Sequence, residues 1–311
     1  MRILVVGAGG TGGYFGGRLL QAGADVTFLV RAGRAASLAR NGLVIRSARG
    51  DVDLPAPPVV TADALRENFD LILLSCKAYD LESAMDAFAA AVGPQTAILP
   101  LLNGMRHLDA LDARFGAAHV LGGQCAISAA LGSEGEILHL NDAHTLTFGE
   151  RDGVRTARAE AIEAVFAKAN FDTRHSSVIL QEMWEKWIFI ATLAGITCLM
   201  RAAIGDIVAA GNADLAAALF DECAVIAERN GFPPRAAMIE RSRAMLTAAG
   251  SPFTASMLRD IERGGRIEAD HVVGDLLDRG EPHRGGALLR IAYAHLKSYE
   301  ARRTREAVVP A

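Results

Sequence analysis

The sequence predicts an α/β protein, with a doubly wound sheet domain over residues 1–176 followed by an all-helical domain over 177–311. Three observations carry this. An apolar run of strand length, Arg2 to Val6, is followed by Gly7, Gly9 and Gly12 at G-x-G-x-x-G spacing and then by a helix-compatible stretch, Tyr14 to Gln21. Apolar runs recur in alternation with helical stretches as far as Phe171–Arg174, which suits parallel strands covered on both faces. Beyond His175–Ser177 the strand signal stops and the remainder reads as helix.

The bulk properties narrow the function. A chain of 311 residues has room for two domains, and 51% hydrophobic residues supply ample core. A net charge of −4 provides no basic field for nucleic acid. Cys76, Cys125, Cys198 and Cys223 are scattered, with no CxxC and no neighbouring histidine pattern. That argues against a metal site or disulfide framework and fits a reducing, cytoplasmic setting. Met1-Arg2 runs straight into the first strand, so no targeting segment is expected. The longest uncharged apolar run, Trp187 to Met200, lies between Lys186 and Arg201. It is expected to be too short for a membrane span and to form a buried helix.

In the first domain the strand, glycine turn and helix make a dinucleotide site, weighed against a merely glycine-rich turn. Gly7 permits the tight turn, Gly9 lets the backbone approach a pyrophosphate, and Gly12 lets helix and strand pack closely. Ala8, Gly10 and Thr11 complete the loop, and the helix N-terminus offers N–H groups to phosphates. A second strand, Ala24–Val30, ends in Arg31-Ala-Gly-Arg34 where an NAD site would carry a carboxylate. A guanidinium binds a 2′-phosphate that a carboxylate would repel. NADP(H) is therefore expected over NAD(H), with Arg31 as the main contact and Arg34 as a second; two solvated arginines are the ordinary alternative. A hairpin is expected from Leu43–Ile45 and Asp51–Leu54, then a buried strand at Phe69–Ser75 leading into Cys76-Lys77 and a helix to Val92. Further strands are expected at Ala97–Leu102, ending in Asn103-Gly104-Met105, and near His119–Gly122. An antiparallel pair, Gly135–His139 and Thr145–Phe148, would turn at Asn141-Asp142. A helix over Val154–Ala169 and a strand at Phe171–Arg174 close this half. The glycine loop, Arg31, Lys77 and Asn103 each follow a strand end, the edge at which open α/β sheets bind ligands.

The second domain is expected to place helices over Gln181–Leu199, Ala213–Asn230, from Phe232-Pro-Pro234 onward, Ser256–Ile261, Ile267–Leu277 and Ala287–Tyr299, with a frayed charged tail from Arg302. Reduction of a carbonyl leaves negative charge on oxygen and calls for a proton donor beside a cation. Lys186 heads an uncharged apolar helix, where partial desolvation favours loss of its proton; the ordinary alternative is a snorkelling surface lysine. Glu268, at the start of another helix, would orient that lysine or bind a substrate hydroxyl, or simply sit favourably near a helix N-terminus. Ser256 reads as either an N-cap or an anion contact.

Together these residues resemble the ketopantoate reductase (2-dehydropantoate 2-reductase) family. The resemblance runs through Gly7-Ala-Gly-Gly-Thr-Gly12, Val30-Arg31, Ser75-Cys-Lys77-Ala, Leu102-Asn103-Gly104-Met105, Phe148-Gly-Glu150, Trp184-Glu-Lys186, Ser256-Met-Leu-Arg-Asp260 and Gly265-Arg266-Ile-Glu268. It implies reduction of a 2-oxo acid, ketopantoate, to pantoate with NADPH, on the route to pantothenate. It implies Lys186 as proton donor, Glu268 as active-site glutamate touching cofactor and substrate, and Ser256 as substrate-binding serine. Asn103 would lie near nicotinamide and substrate, and Arg31 and Lys77 would contact NADP(H). The chain departs from the family at Ile190 and Ala194, one and two helical turns beyond the lysine, where asparagines that hold substrate are usual, and at Ile267, where threonine is usual. The expected substrate is ketopantoate, with a more apolar 2-oxo acid or ketone as the alternative. Two further readings are a hydroxyacid or sugar-acid dehydrogenase working oxidatively, and a non-catalytic NADP-sensing protein. The expected partner is a small molecule, with no nucleic acid and no membrane. The apolar helices of the second domain suit a homodimer and an internal core equally.

Overall fold

The computed structural model describes residues 1–280 and 287–308. It divides into two compact units, Met1–Leu102 with His107–Leu180, and Asn103–Arg106 with Gln181–Ala311. The sequence placed the division between 176 and 177; here it falls a few residues later, and a short loop beginning at Asn103 joins the second unit.

The first unit contains β1 (Arg2–Val6), α1 (Gly10–Gln21), β2 (Asp25–Leu29), α2 (Ala32–Asn41), β3 (Leu43–Arg46), β4 (Val52–Leu54), β5 (Val59–Val60), β6 (Leu71–Leu74), α3 (Leu81–Phe88), β7 (Ala97–Pro100), α4 (Arg106–Phe115), β8 (Gly122–Leu131), β9 (Ile137–Gly149), α5 (Ala157–Phe166) and β10 (Asp172–His175). The main sheet is parallel, in the order β5-β2-β1-β6-β7. The chain moves outward from β1 to β2 and β5, then returns to β6 on the other side of β1. The β1/β6 boundary is therefore the topological switch point. All four residues of β6 are buried, which explains its unbroken apolar sequence.

A second sheet, ordered β10-β9-β3-β4 with β8 paired to β9, departs from expectation. The expected strand near His119–Gly122 is a 3-10 turn at Ala117–His119 and a single parallel bridge from Val120 to Ile98, after which β8 begins. The expected turn at Asn141-Asp142 lies inside β9, whose antiparallel partner is β8. The pairing shifts between Ile127 and Ala129, and there the Ser128 N–H donates to Asn141 Oδ1 at 2.8 Å. Asn141 thus satisfies a bulge instead of making a turn. The reversal occurs at Gly132–Glu136, closed by the Gly132 N–H on the Glu136 carbonyl.

Glycines shape the loop after β1. Gly7 has φ +95°, a region that L side chains rarely adopt. Ser75, just past β6, donates from Oγ to the Val6 carbonyl at 3.1 Å and so ties the two strand ends together. A Cβ at Gly12 would lie 2.0 Å from Ser75 Oγ and 2.2 Å from the Gly7 carbonyl oxygen. One at Gly10 would lie 2.5 Å from the Ala129 carbonyl oxygen of β8, whereas one at Gly9 would meet nothing within 4 Å.

The second unit contains α6 (Ile179–Met200, entering it at Gln181), α7 (Ile204–Ala209), α8 (Ala213–Arg229), α9 (Ala236–Leu246), α10 (Ser256–Glu262), α11 (Asp275–Arg279) and α12 (Ala287–Val308). A π-helical turn, Asp270–Gly274, leads into α11. The apolar run expected to be too short for a membrane belongs to a helix of 22 residues, long and apolar enough to cross one by length and composition; 72% of its most apolar window is buried within the protein. Phe232-Pro-Pro234 precedes α9 and does not start it. Arg235 is the extended N-cap (φ −68°, ψ 145°), and its N–H donates to Glu185 Oε1 at 2.9 Å. The N-terminus of α12 is capped from α8, where the Glu222 carboxylate accepts from the Leu288 and Leu289 N–H groups. The tail expected to fray from Arg302 continues α12 to Val308, held by the Arg303 Nε bond to the Gly264 carbonyl at 2.8 Å. Residues 309–311 lie outside the described residues.

These glycine environments separate two substitutions. Gly12→Ala should destabilise the protein by about 2 kcal/mol or more, because the Gly7 backbone and the Ser75 side chain that ties the strand ends must both move. Gly9→Ala should leave the thermal unfolding midpoint nearly unchanged. Parallel thermal melts of the two variants check this.

Candidate active site

At the β1–α1 loop the first-turn N–H groups of α1 have no intrahelical partner. Its N-cap, Gly9, supplies no side chain, and no acidic residue lies in the first turn. The positive end of the helix is therefore presented without a competing anion, beside the open space at Gly9. A dinucleotide pyrophosphate fits such a cradle. The loop is braced from α2, where Arg34 Nε donates to the Ala8 carbonyl at 3.0 Å and Nη1 to the Gly135 carbonyl at 2.9 Å. Arg34 Nη2 is buried without a partner among the described residues, and burial holds the guanidinium below its ordinary pKa. This corrects the expectation for Arg34. It holds the loop and is not presented to a 2′-phosphate.

Arg31, the N-cap of α2, is 75% exposed, with Nη2 3.1 Å from the Asp80 carboxylate and 3.4 Å from Ser83 Oγ. Half-buried Lys77 is the N-cap of the 3-10 turn Ala78–Asp80, and its carbonyl accepts from the Asp80 N–H. The structure therefore brings Arg31 and Lys77 to one place, with Asp80 between them. The motif residue Glu150 has a structural role instead: it accepts from Thr156 Oγ1 at 2.5 Å and from Arg158 Nε at 2.7 Å and Nη2 at 2.6 Å. Burial works to raise its carboxyl pKa, but the bonds from Arg158 and Thr156 outweigh this and lower it.

In the second unit, half-buried Lys186 sits on α6 between two fixed neighbours. Glu185 accepts from Arg235 Nε at 2.8 Å and Nη2 at 2.5 Å and from Gln181 Nε2 at 3.2 Å. These bonds hold its carboxyl below the ordinary range although burial opposes them. Fully buried Trp187 donates from Nε1 to the Val272 carbonyl at 2.8 Å. Further along α6, Ile190 is half-buried and Ala194 is 3% exposed. Thr197 Oγ1 donates to the Leu193 carbonyl and accepts from the Ala255 N–H, tying the start of α10 to α6. Ser256 follows the actual N-cap, Ala255, and is exposed, so the capping alternative falls away.

Glu268, half-buried, lies just ahead of the π turn, and its carbonyl accepts from the Val272 N–H at 3.0 Å; the preceding Ile267 is buried. Each of the first three residues of the turn holds a different part of the unit. Asp270 accepts from Tyr293 Oη at 2.6 Å and from Lys297 Nζ at 2.9 Å. Burial opposes ionisation of Asp270, but these two bonds outweigh it and lower the carboxyl pKa. His271 is 7% exposed, and its ring is hydrogen-bonded to the backbone of Asn103. Val272 takes the Trp187 bond. Gly104, at φ +81°, lies so close that a Cβ there would be 2.8 Å from the His271 carbonyl oxygen. Half-buried Asn103 follows β7, as expected, yet belongs with the second unit. Sequence reasoning missed His271 and the π turn, whose only local signal was proximity to Glu268.

Burial pushes His271 from 6.5 down to about 4, aided by Arg106 and Arg279 and opposed by the bond to Asn103. Between those values the unfolded chain binds the extra proton, so stability should fall as pH drops from about 6.5 to about 4, by about 3 kcal/mol. His144 in the first unit is depressed in the same direction, chiefly by burial. Denaturant unfolding of wild type and His271→Gln at pH 7 and pH 4.5 isolates the His271 share, and the variant should show the shallower pH dependence.

Two family models match the chain: "Ketopantoate reductase PanE/ApbA" over residues 3–153 and its C-terminal companion over residues 178–300. An uncharacterized oxidoreductase, YkpB, of Bacillus subtilis (strain 168) is 39% identical over 303 residues, covering 97% of this chain and 99% of the relative. A 2-dehydropantoate 2-reductase of Archaeoglobus fulgidus is 28% identical, covering 90% of this chain and 91% of the relative. The crystal structure of 2-dehydropantoate 2-reductase from Geobacter metallireducens GS-15 superposes with a TM-score of 0.85 at 28% identity, covering 96% of this chain and 99% of that one. The chain belongs to the ketopantoate reductase family of NAD(P)H-dependent oxidoreductases and is an enzyme of the 2-dehydropantoate 2-reductase type.

Proposed function

We propose that this enzyme uses NADPH to reduce the carbonyl of a 2-oxo acid, with ketopantoate the leading substrate and a more apolar 2-oxo acid the alternative. The observation that carries the reading is the setting of Lys186. It is held on α6 between the Glu185–Arg235 pair and the Trp187–Val272 hydrogen bond, and the latter ties its helix to the turn that follows Glu268. The first unit would serve as the cofactor domain and the second as the catalytic domain. The four cysteines, none in a disulfide among the described residues, fit a reducing, cytoplasmic compartment.

Ala8, Gly9, Gly10, Thr11 and Gly12 would offer backbone N–H groups to the pyrophosphate, Gly7, whose N–H bonds the Leu29 carbonyl, would make the turn, and Arg31 and Lys77 would take the 2′-phosphate. The bound nicotinamide supplies the hydride for the carbonyl carbon. Lys186 Nζ donates a proton to the carbonyl oxygen, and its charge stabilises that oxygen as it becomes negative. Glu268 would orient the ammonium and contact the cofactor. Asn103 fixes the carbonyl region, and Ser256 takes a polar group of the substrate.

Ile190, Ala194 and Ile267 favour the alternative substrate. At the first two positions amides are replaced by apolar side chains, each forgoing a hydrogen bond worth about 0.5–1.5 kcal/mol. A substrate without a hydroxyl on that side loses nothing by the exchange.

NADPH oxidation followed by absorbance against a panel of 2-oxo acids, ketopantoate included, tests the reading; no turnover with any of them would overturn it. Lys186→Ala should lower kcat about 100-fold with NADPH affinity nearly unchanged. Arg31→Ala should instead raise the NADPH KM with little effect on kcat. Ile190→Asn, alone and with Ala194→Asn, should leave ketopantoate turnover unimproved if ketopantoate is native, and should create or strengthen it if the substrate is more apolar.

A further inference from the structure

The loop after β7 and the π turn after Glu268 are far apart in sequence and meet at one side chain. His271 lies within the π turn, at 7% exposure, with its ring hydrogen-bonded to the Asn103 backbone. The bond favours the protonated ring, so the ring is the donor and the Asn103 carbonyl the acceptor. Gly104 packs on the same histidine: a Cβ there would come within 3.0 Å of His271 Cδ2 and 2.8 Å of its carbonyl oxygen. Gly104 also has φ +81°, so the loop accepts no other residue there without strain.

The turn that carries His271 is itself fixed. Asp270 is held by Tyr293 and Lys297 of α12, and the Val272 carbonyl by Trp187 of α6. A Cβ at Gly274 would lie 2.9 Å from the Tyr293 ring, so this end of the turn is packed against α12 as well. One widened helical turn thus holds Asn103 through a histidine and the Lys186 helix through an indole, with Glu268 immediately before it. Insertions of this kind in a helix recur at functional sites because they re-aim backbone groups.

We infer that His271 is a positioning residue for the reductase reaction, fixing the Asn103-Gly104 loop so that the Asn103 amide is presented in one orientation. This rests on the assignment of Asn103 to the site made above. His271 acts through Asn103 and takes no proton from the reaction. Buried as it is, it stays uncharged at neutral pH, which separates its role from that of Lys186.

Four variants test the inference: His271→Phe, which keeps a ring and removes the donor; His271→Gln, which restores a donor; and Asn103→Ala, alone and combined with His271→Phe. The readouts are NADPH affinity by fluorescence, steady-state kinetics with the 2-oxo acid panel, and amide hydrogen exchange. His271→Phe should speed exchange at residues 102–105 at least tenfold. It should lower kcat about tenfold while the NADPH dissociation constant stays within twofold. His271→Gln should recover kcat to within threefold of wild type. In the Asn103→Ala background, adding His271→Phe should cost less than twofold, because the side chain it positions is gone.

Wild-type exchange in His271→Phe alongside an impaired Asn103→Ala overturns the role of His271 alone. So does an effect that adds in full to that of Asn103→Ala, or a His271→Gln enzyme no better than His271→Phe. An Asn103→Ala enzyme with wild-type kcat and KM overturns the site assignment beneath the inference, and the inference with it. Loss of native circular dichroism in both His271 variants also overturns it, since a residue that only positions Asn103 is dispensable for folding.

Discussion

The indole N–H of Trp187 reaches the carbonyl of Val272 at 2.8 Å, and the same arrangement recurs wherever the chain leaves regular structure near its chemistry. A buried carbonyl outside a helix or sheet ladder must find a donor or incur a desolvation cost of about 1–3 kcal/mol. Arg34 supplies donors to Ala8 and Gly135 and His271 to Asn103; at exposed positions Gln181 does the same for Pro233 and Arg303 for Gly264. The irregular segments are the glycine loop, the Asn103 loop, the π turn and the entry to α9. These are also the segments that place candidate site residues, so the donors that satisfy the backbone set the geometry of the site.

The charges follow a related division. Glu150 and Glu185 are carboxylates taken out of water and kept ionised by specific donors, Arg158 and Arg235. Breaking such a pair leaves an uncompensated charge, so each of them anchors structure. Arg31 differs. Its guanidinium is mostly exposed and its pairing with Asp80 is at the surface, where solvent weakens such bonds. A group held that lightly can exchange a carboxylate for a phosphate, as a cofactor contact must. The two arginines that looked alike in Val30-Arg31-Ala-Gly-Arg34 therefore serve opposite purposes, one bracing the loop and one facing solvent.

The substrate question turns on a short stretch of α6. Lys186 is set by its neighbours on either side, while Ile190 and Ala194 offer no hydrogen bond to anything. Chemistry and recognition are thereby separable on one helix. Under the proposed roles, the proton donor's setting would depend on Glu185, Trp187 and their partners, and selectivity on the next two turns. Such a layout lets substrate preference change without disturbing the reductase machinery.

What the sequence determined alone was whatever a few neighbouring residues decide. A buried strand, a glycine turn and a helix follow from the order of residues 2–21, because periodicity and the absence of a Cβ act locally. The parallel sheet and the helical second unit are legible for the same reason, whereas Lys186, read as heading its apolar helix, lies two turns inside α6. Tertiary structure decided the rest through partners distant in the chain. Asn141 looks like a turn residue until it meets the Ser128 N–H at a bulge. Arg34 looks like a phosphate ligand until the Ala8 and Gly135 carbonyls claim it. The prolines at 233 and 234 look like a helix start until Arg235 is drawn to Glu185. Asn103 follows a strand of the sheet yet groups with the second unit, where the buried ring of His271 bonds its backbone. In each case the deciding bond satisfies a polar group whose partner no local pattern can name.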